Sequence, residues 1–129
     1  MRLSSARRVV AFTGAGVSAE SGITTYRDAF EGRGLWDGII GQLGLLLFGT
    51  RLGFLFFPQT AWRHYCERLL LPITRAEPNA GHAALAELDQ LLAAGLPVVT
   101  QNVDGLHQRA GSRQVLEVHG TCATHRNAW

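Results

Sequence analysis

The pattern of apolar and polar positions predicts strand, helix, strand, helix, strand, with a long irregular stretch and then a very apolar one inserted after the first turn. Val9-Val-Ala-Phe12 is a short β-branched and aromatic run that suits a parallel strand covered on both faces. Thr13-Gly14 ends it, and Gly14 and Gly16 allow a tight turn, with Ser18 and Glu20 in the first turn of a helix. Ile23 to Trp36 shows neither helical nor strand periodicity, yet it holds Tyr26, Phe30 and Trp36, which argues for a ligand-covering loop. Ile39 to Phe57 is the most apolar segment. Gln42, Arg51 and several glycines interrupt it, so it predicts a small helical subdomain packed on the sheet, not a membrane span.

Pro58 suits the first position of a helix, in which Trp62, Tyr65, Cys66, Leu69 and Leu70 form a buried face and which Pro72 ends or kinks. Asn79 offers an N-cap to the next helix. There Leu85, Leu88, Leu91 and Leu92 are expected inside, Glu87 and Asp89 outside, and Gly95 just past the C-terminus. Leu96 to Thr100 predicts the second strand. A short helix ending near Gly111 follows, and Gln114 to Val118 predicts the third strand, with His119-Gly120 directly after it.

Composition changes this picture little. The chain has 129 residues and a net charge of +2, and all its basic side chains are Arg. That size fits one domain, and nothing in it resembles the basic stripe of a nucleic-acid binder. Two cysteines far apart, Cys66 and Cys122, read as free thiols of a reducing compartment, and residues 1–8 lack an apolar signal core, so a cytoplasmic location is expected.

The chemistry lies at the strand ends. Gly14-Ala-Gly-Val-Ser-Ala19 fits the dinucleotide pattern G-x-G-x-x-G/A in its strand-then-helix setting, where free amides make an anion site. Polar clusters follow the other two strands: Gln101-Asn-Val-Asp104 and His119. Ligands in open α/β sheets bind at the carboxyl ends of strands, so the three clusters should share one crevice.

These residues resemble the N-terminal portion of the catalytic domain of the sirtuins, NAD-dependent protein deacylases. The matching stretches are Gly14 to Ile23, Tyr26-Arg27, Leu35-Trp36, Pro78-Asn79 with His82, Gln101-Asn-Val-Asp104 and His119-Gly120, in family order. The resemblance implies an α/β fold, a partial Rossmann-like parallel sheet with a small apolar helical insertion and without its C-terminal half. It implies one domain over 1–129, with the insertion at 38–76 and, at 120–129, a stub where a zinc module would begin.

The cofactor contacts it implies are Gly14, Ala15, Gly16, Ser18, Glu20, Ile23, Thr25, Tyr26, Arg27, Trp36, Gln101, Asn102, Val103 and Asp104. Among them, Gly14 to Gly16 cradle the pyrophosphate and Ile23 to Arg27 close over the nicotinamide ribose. Gln101 and Asn102 hold the ribose and an ordered water, and Asp104 binds the nicotinamide amide. His119 is the general base, with Asn102 beside it. NAD is consumed as a co-substrate, and the products are free lysine, nicotinamide and O-acyl-ADP-ribose. The partners implied are acylated-lysine proteins or peptides, with no direct nucleic acid and no membrane span. Tyr65 and Arg68 resemble a pair that recognises acidic acyl groups such as succinyl, through a bidentate Arg–carboxylate contact. His82 is expected to pack or cap, and His107 to be exposed.

The chain departs from the family in places. Thr24 replaces Pro, Tyr26 replaces Phe, and residues are inserted between Arg27 and Leu35. Asn127 stands where the first zinc-ligand Cys belongs. Cys122 and His125 alone do not make a tetrahedral site, so no metal is expected in these residues although the family carries zinc. A sheet of this extent leaves an unpaired edge and an exposed apolar face, and a fragment with little or no turnover is expected. The other readings are a non-catalytic NAD-binding module and a protein ADP-ribosyltransferase. A hydride-transferring dehydrogenase is disfavoured, because Asp37 follows no predicted strand.

Overall fold

The computed structural model describes residues 8–23 and 50–122, except for the side chains of His64, Arg68 and Leu69. Its strands are β1 (Ala11–Thr13), β2 (Val98–Thr100) and β3 (Val115–Glu117). The helices are α1 (Ala15–Ser18), α2 (Arg51–Phe56), α3 (Pro58–Tyr65), α4 (Leu71–Arg75), α5 (Ala80–Leu91) and α6 (Leu106–Ala110). A 3₁₀ turn, Ala19–Ser21, extends α1, and a π-helical turn, Cys66–Leu70, joins α3 to α4.

The strands form one parallel sheet in the order β1-β2-β3, with α5 on the crossover into β2 and α6 on the crossover into β3. Phe12, Val99 and Leu116 form one row across the sheet, and Thr13, Thr100 and Glu117 the next. Because side chains alternate along a strand, these rows belong to opposite faces. The helices cover the face that carries Thr13 and Thr100, and Val98 and Thr100 there are buried. On the other face Phe12 is 68% and Leu116 61% exposed. The expected apolar face is thus open, and β1 is covered on one side only, not on both. The strands are also shorter than the apolar runs predict. β2 starts after Pro97, which has no N–H for the ladder, although its carbonyl accepts from Ala11 N at 2.9 Å.

The inward face of α5 differs from the leucine stripe. His82, Ala86 and Asp89 are buried, while Leu88 is 39% and Leu91 81% exposed. The reason is a polar anchor that outweighs the apolar pattern. Asp89 accepts from Leu96 N at 2.7 Å and from Arg113 Nε at 2.9 Å, tying the end of α5 to the starts of β2 and β3. The Arg113 hydrogen bond, then the Leu96 amide, hold its carboxyl far below the usual carboxylate range. Gly95 is not the residue that ends the helix. It closes the next turn at φ +72°, where a Cβ would meet Gln114 Nε2 at 2.8 Å.

Pro58 takes the predicted first-turn place. Pro72 does not end its helix: the wider π turn ahead of it absorbs the missing N–H and the ring, and α4 runs on to Arg75. The face expected to be buried on α3 is only partly so. Trp62 is 52% exposed and stacks on half-buried Tyr65 at 5.7 Å, while Ala61 fills the inside. On α2, Leu52, Leu55 and Phe56, with Phe57 after them, are exposed, where the sequence predicts apolar packing on the sheet. Arg109 fastens the end of this helical segment to α6, donating to Ala76 O at 2.6 Å and pairing with Glu77.

Candidate active site

All three strand ends lie on one rim, as parallel order requires, and hydrogen bonds join the segments that leave them. Gly14, in extended conformation, caps α1 without a side chain, so the helix starts at Ala15 and not around Ser18. Of its first-turn amides, Val17 N donates to Gly14 O at 3.1 Å, while those of Ala15 and Gly16 have no partner within the helix. A Cβ on Gly16 would meet none of the described residues within 4 Å, so the turn is open to them on that side. Ser18 is therefore the last residue of α1 and points inward, 1% exposed, while Glu20 is exposed on the 3₁₀ turn and Ile23 is half-buried beyond it.

Ser18 is the hub. Its hydroxyl donates to Asp104 Oδ2 at 2.7 Å and accepts from Asn102 Nδ2 at 2.9 Å. Asn102 Nδ2 also donates to Gly14 O at 3.1 Å, and Asp104 Oδ1 accepts from Leu106 N at 2.9 Å. One carboxylate thus orders α1 and the start of α6 together, and one amide bridges the glycine turn to the segment after β2. Gln101 is exposed beside them; its backbone N–H donates to Thr13 O at 3.1 Å and its side chain lies 3.4 Å from where a Gly14 Cβ would be. Val103 is half-buried.

His119 leaves β3 on the same rim. Val118 N donates to Thr100 O at 3.0 Å and Cys122 N to Val103 O at 2.7 Å, so the turn bearing His119 is pinned on both sides against the loop of Asn102. Its imidazole is exposed and bonds to none of the described residues. Tyr65 lies near that turn, hydrogen-bonded to the Cys122 side chain. Burial pushes the Cys122 thiol up, opposed by Tyr65 and aided by the nearby Glu117 carboxylate. Thr25, Tyr26, Arg27 and Trp36 lie outside the described residues, as do His125, Asn127 and the side chain of Arg68. Among the described residues no three His, Cys, Asp or Glu side chains gather as metal ligands.

Behind the rim is a second tier that motif reading undervalued. Asn79 caps α5, as expected, but its Nδ2 also donates to Val17 O at 2.7 Å and Ser21 Oγ at 3.0 Å, locking α5 to α1. His82, fully buried, completes the cap: its Nδ1 accepts from Asn79 N at 3.3 Å, and its Nε2 lies 3.5 Å from Ser18 Oγ. His107 is buried, not exposed. Its Nε2 is 2.9 Å from Thr13 Oγ1, and its ring meets that of His82 edge-on at 4.8 Å. The pairing of Leu106 and His107 at the start of a helix pressed against the sheet was the only signal in the sequence, and it is a weak one. Burial lowers the pKa of both rings. At His107 the His82 ring adds to this, and Asp104 opposes it at both.

A parallel α/β sheet with a glycine turn and converging polar strand ends defines a nucleotide-binding class of protein. Within that class the sequence profile of the Sir2 family matches residues 14–128, and the chain belongs to that family. It is 46% identical over 127 residues to NAD-dependent protein deacylase 1 of Pseudomonas aeruginosa PAO1, covering 95% of this chain and 48% of that one. A Sir2 homologue variant solved with ADP-ribose superposes with a TM-score of 0.72 at 41% identity, over 92% of this chain and 44% of that one. A Sir2 homologue solved with NAD superposes with a TM-score of 0.68 at 39% identity, over 92% and 43%. The chain spans about half the length of the curated relatives it matches.

Proposed function

We propose that the chain carries the NAD-binding and general-base portion of an NAD-dependent protein-lysine deacylase, and that it works in the cytoplasm on acylated-lysine proteins or peptides. The observation that carries this reading is the bonding of the Gly14 turn, Asn102 and Asp104 through Ser18, on the rim that also presents His119. The residues fit the nucleotide: the turn offers the amides of Ala15 and Gly16, which have no partner within the helix, and among the described residues there is open space at Gly16. Bound there, NAD would supply an activated ribose carbon with nicotinamide as its leaving group.

In this reading Gly14, Ala15 and Gly16 hold the pyrophosphate. Gln101 and Asn102 orient the ribose, and Asp104 accepts from the nicotinamide amide through lone pairs that Ser18 and Leu106 leave free. The exposed His119 imidazole takes a proton from a ribose hydroxyl as general base. Thr25, Tyr26, Arg27 and Trp36 cover the site. Residues 38–76 are an insertion on the single domain, and 120–129 begin a zinc module whose ligands these residues do not supply.

The test is nicotinamide release from NAD and an acetyl-lysine peptide, with His119→Ala as control. Release that depends on the peptide and disappears in the variant, while NAD still binds, supports the reading. NAD binding without release favours a non-catalytic module, and ADP-ribose on protein, read by mass, favours a transferase. The nearness of Tyr65 to the His119 turn favours one finer reading, in which Tyr65 and Arg68 select acidic acyl groups. A succinyl peptide that outperforms the acetyl peptide, with the preference abolished by Arg68→Met, would establish it.

A further inference from the structure

No step above uses the imidazole of His107, which is 1% exposed. Its Nε2 faces Thr13 Oγ1, and its Nδ1 is buried without a hydrogen-bond partner among the described residues. A neutral imidazole has one donor and one acceptor nitrogen, and an orphaned buried N–H costs more than a bare lone pair. The geometry therefore selects the tautomer that carries hydrogen on Nε2 and donates it to Thr13.

Thr13 is the last residue of β1, and the glycine turn leaves the sheet from it. That exit is held at three points. Gln101 N donates to Thr13 O, Asn102 Nδ2 donates to Gly14 O, and His107 holds the Thr13 hydroxyl. Of these, only the last is made by a titratable side chain. The groups facing the ring are Thr13 on β1, His82 on α5 and Asp104 on the loop before α6. Asp104 acts on the ring by its charge and makes no hydrogen bond to Nδ1. A proton on Nδ1 leaves the Nε2–H bond to Thr13 in place but makes a charged, buried donor with no acceptor, against a second imidazole, so the charged ring is stable only where it leaves this place and releases Thr13. His82 differs, because Asn79 Oδ1 lies 3.0 Å from its Nδ1 and can accept the added hydrogen.

We propose that His107 is a positioning residue of the nucleotide site, holding through Thr13 the point where the Gly14 turn departs, and doing so only as a neutral ring. The role rests on the nucleotide reading of that turn. It makes NAD affinity sensitive to acid through a residue that does not touch NAD.

The experiment uses the full chain, ¹⁵N-imidazole NMR and NAD titration at about pH 7.5 and about pH 5.5, with His107→Gln and His107→Ala. Gln offers an amide donor to Thr13 and does not titrate. In the wild type at the higher pH, His107 should show hydrogen on Nε2 alone, and Kd should rise by about threefold or more between the two pH values, about tenfold being the limit that one proton of ordinary imidazole pKa can supply. His107→Gln should bind like the wild type at the higher pH and vary by less than about threefold between them, while His107→Ala should be about tenfold weaker at both. Melting temperatures of the three chains at both pH values separate loss of fold from loss of positioning, since a purely structural role weakens NAD binding only as far as the folded fraction falls. Hydrogen on Nδ1, a Gln variant that keeps the wild-type acid slope, or an Ala variant with wild-type affinity would each overturn the role. A wild-type chain that binds no NAD at the higher pH overturns the nucleotide reading and this role together, whereas binding indifferent to His107 overturns this role alone.

Discussion

Ser18→Ala removes one oxygen and tests whether the hub carries the weight that its geometry assigns. The hydroxyl is buried, donates to a carboxylate at 2.7 Å and accepts from an amide at 2.9 Å. A hydrogen bond to a charged group is worth about 1.5–3 kcal/mol, and a neutral one about 1 kcal/mol. Asn102 keeps Gly14 O as a partner, so its loss is the smaller of the two. The expected cost is about 2–4 kcal/mol, a large fraction of the 5–15 kcal/mol typical of a domain. For a chain of this size that corresponds to a fall in Tm of roughly 10 °C. Urea unfolding followed by circular dichroism reads the difference, with an unchanged m-value as the check on two-state behaviour. A cycle with Asp104→Asn should show coupling of about 1 kcal/mol or more between the two residues. A cost below about 0.5 kcal/mol, or strict additivity in the cycle, would refute the assignment of Ser18 as the hub.

Acid should destabilise the chain. Burial holds the pKa of His82 and His107 below the ordinary imidazole value of about 6.5, so the unfolded chain binds more protons than the folded one. Stability is therefore full above about pH 6.5 and falls as the pH drops below it; Tm that is flat between about pH 7.5 and 5.5 would contradict this. The glycines should separate fold from ligand binding. Gly95→Ala places a Cβ against Gln114 and Asp89 at φ +72° and should lower Tm by several degrees. Gly16→Ala meets none of the described residues within 4 Å and should leave Tm unchanged while weakening NAD binding; retained affinity would argue against the pyrophosphate at that turn.

The sequence was legible where chemistry is local and ordered along the chain. Strand order, the glycine turn, Asn79 as a cap, Pro58 at a helix start and the gathering of polar strand ends on one rim all follow from short-range rules, because a parallel sheet must put its carboxyl ends together. What α5 buries was not legible. A leucine stripe was outweighed by Asp89, whose partners Leu96 and Arg113 are local to neither the helix nor each other. Pro72 misled for a similar reason, since whether a helix breaks or widens to a π turn depends on what holds both of its ends.

By itself, then, the chain's order of residues determined the class of fold, the family and the set of groups at the rim, since each is written in spacing along the backbone. Only the tertiary structure decided that Ser18 points inward to join Asn102 with Asp104, and that His107 is a buried, neutral partner of Thr13. Burial and hydrogen-bond partnership are properties of residues 64 to 94 positions apart, and pattern reading sees only neighbours.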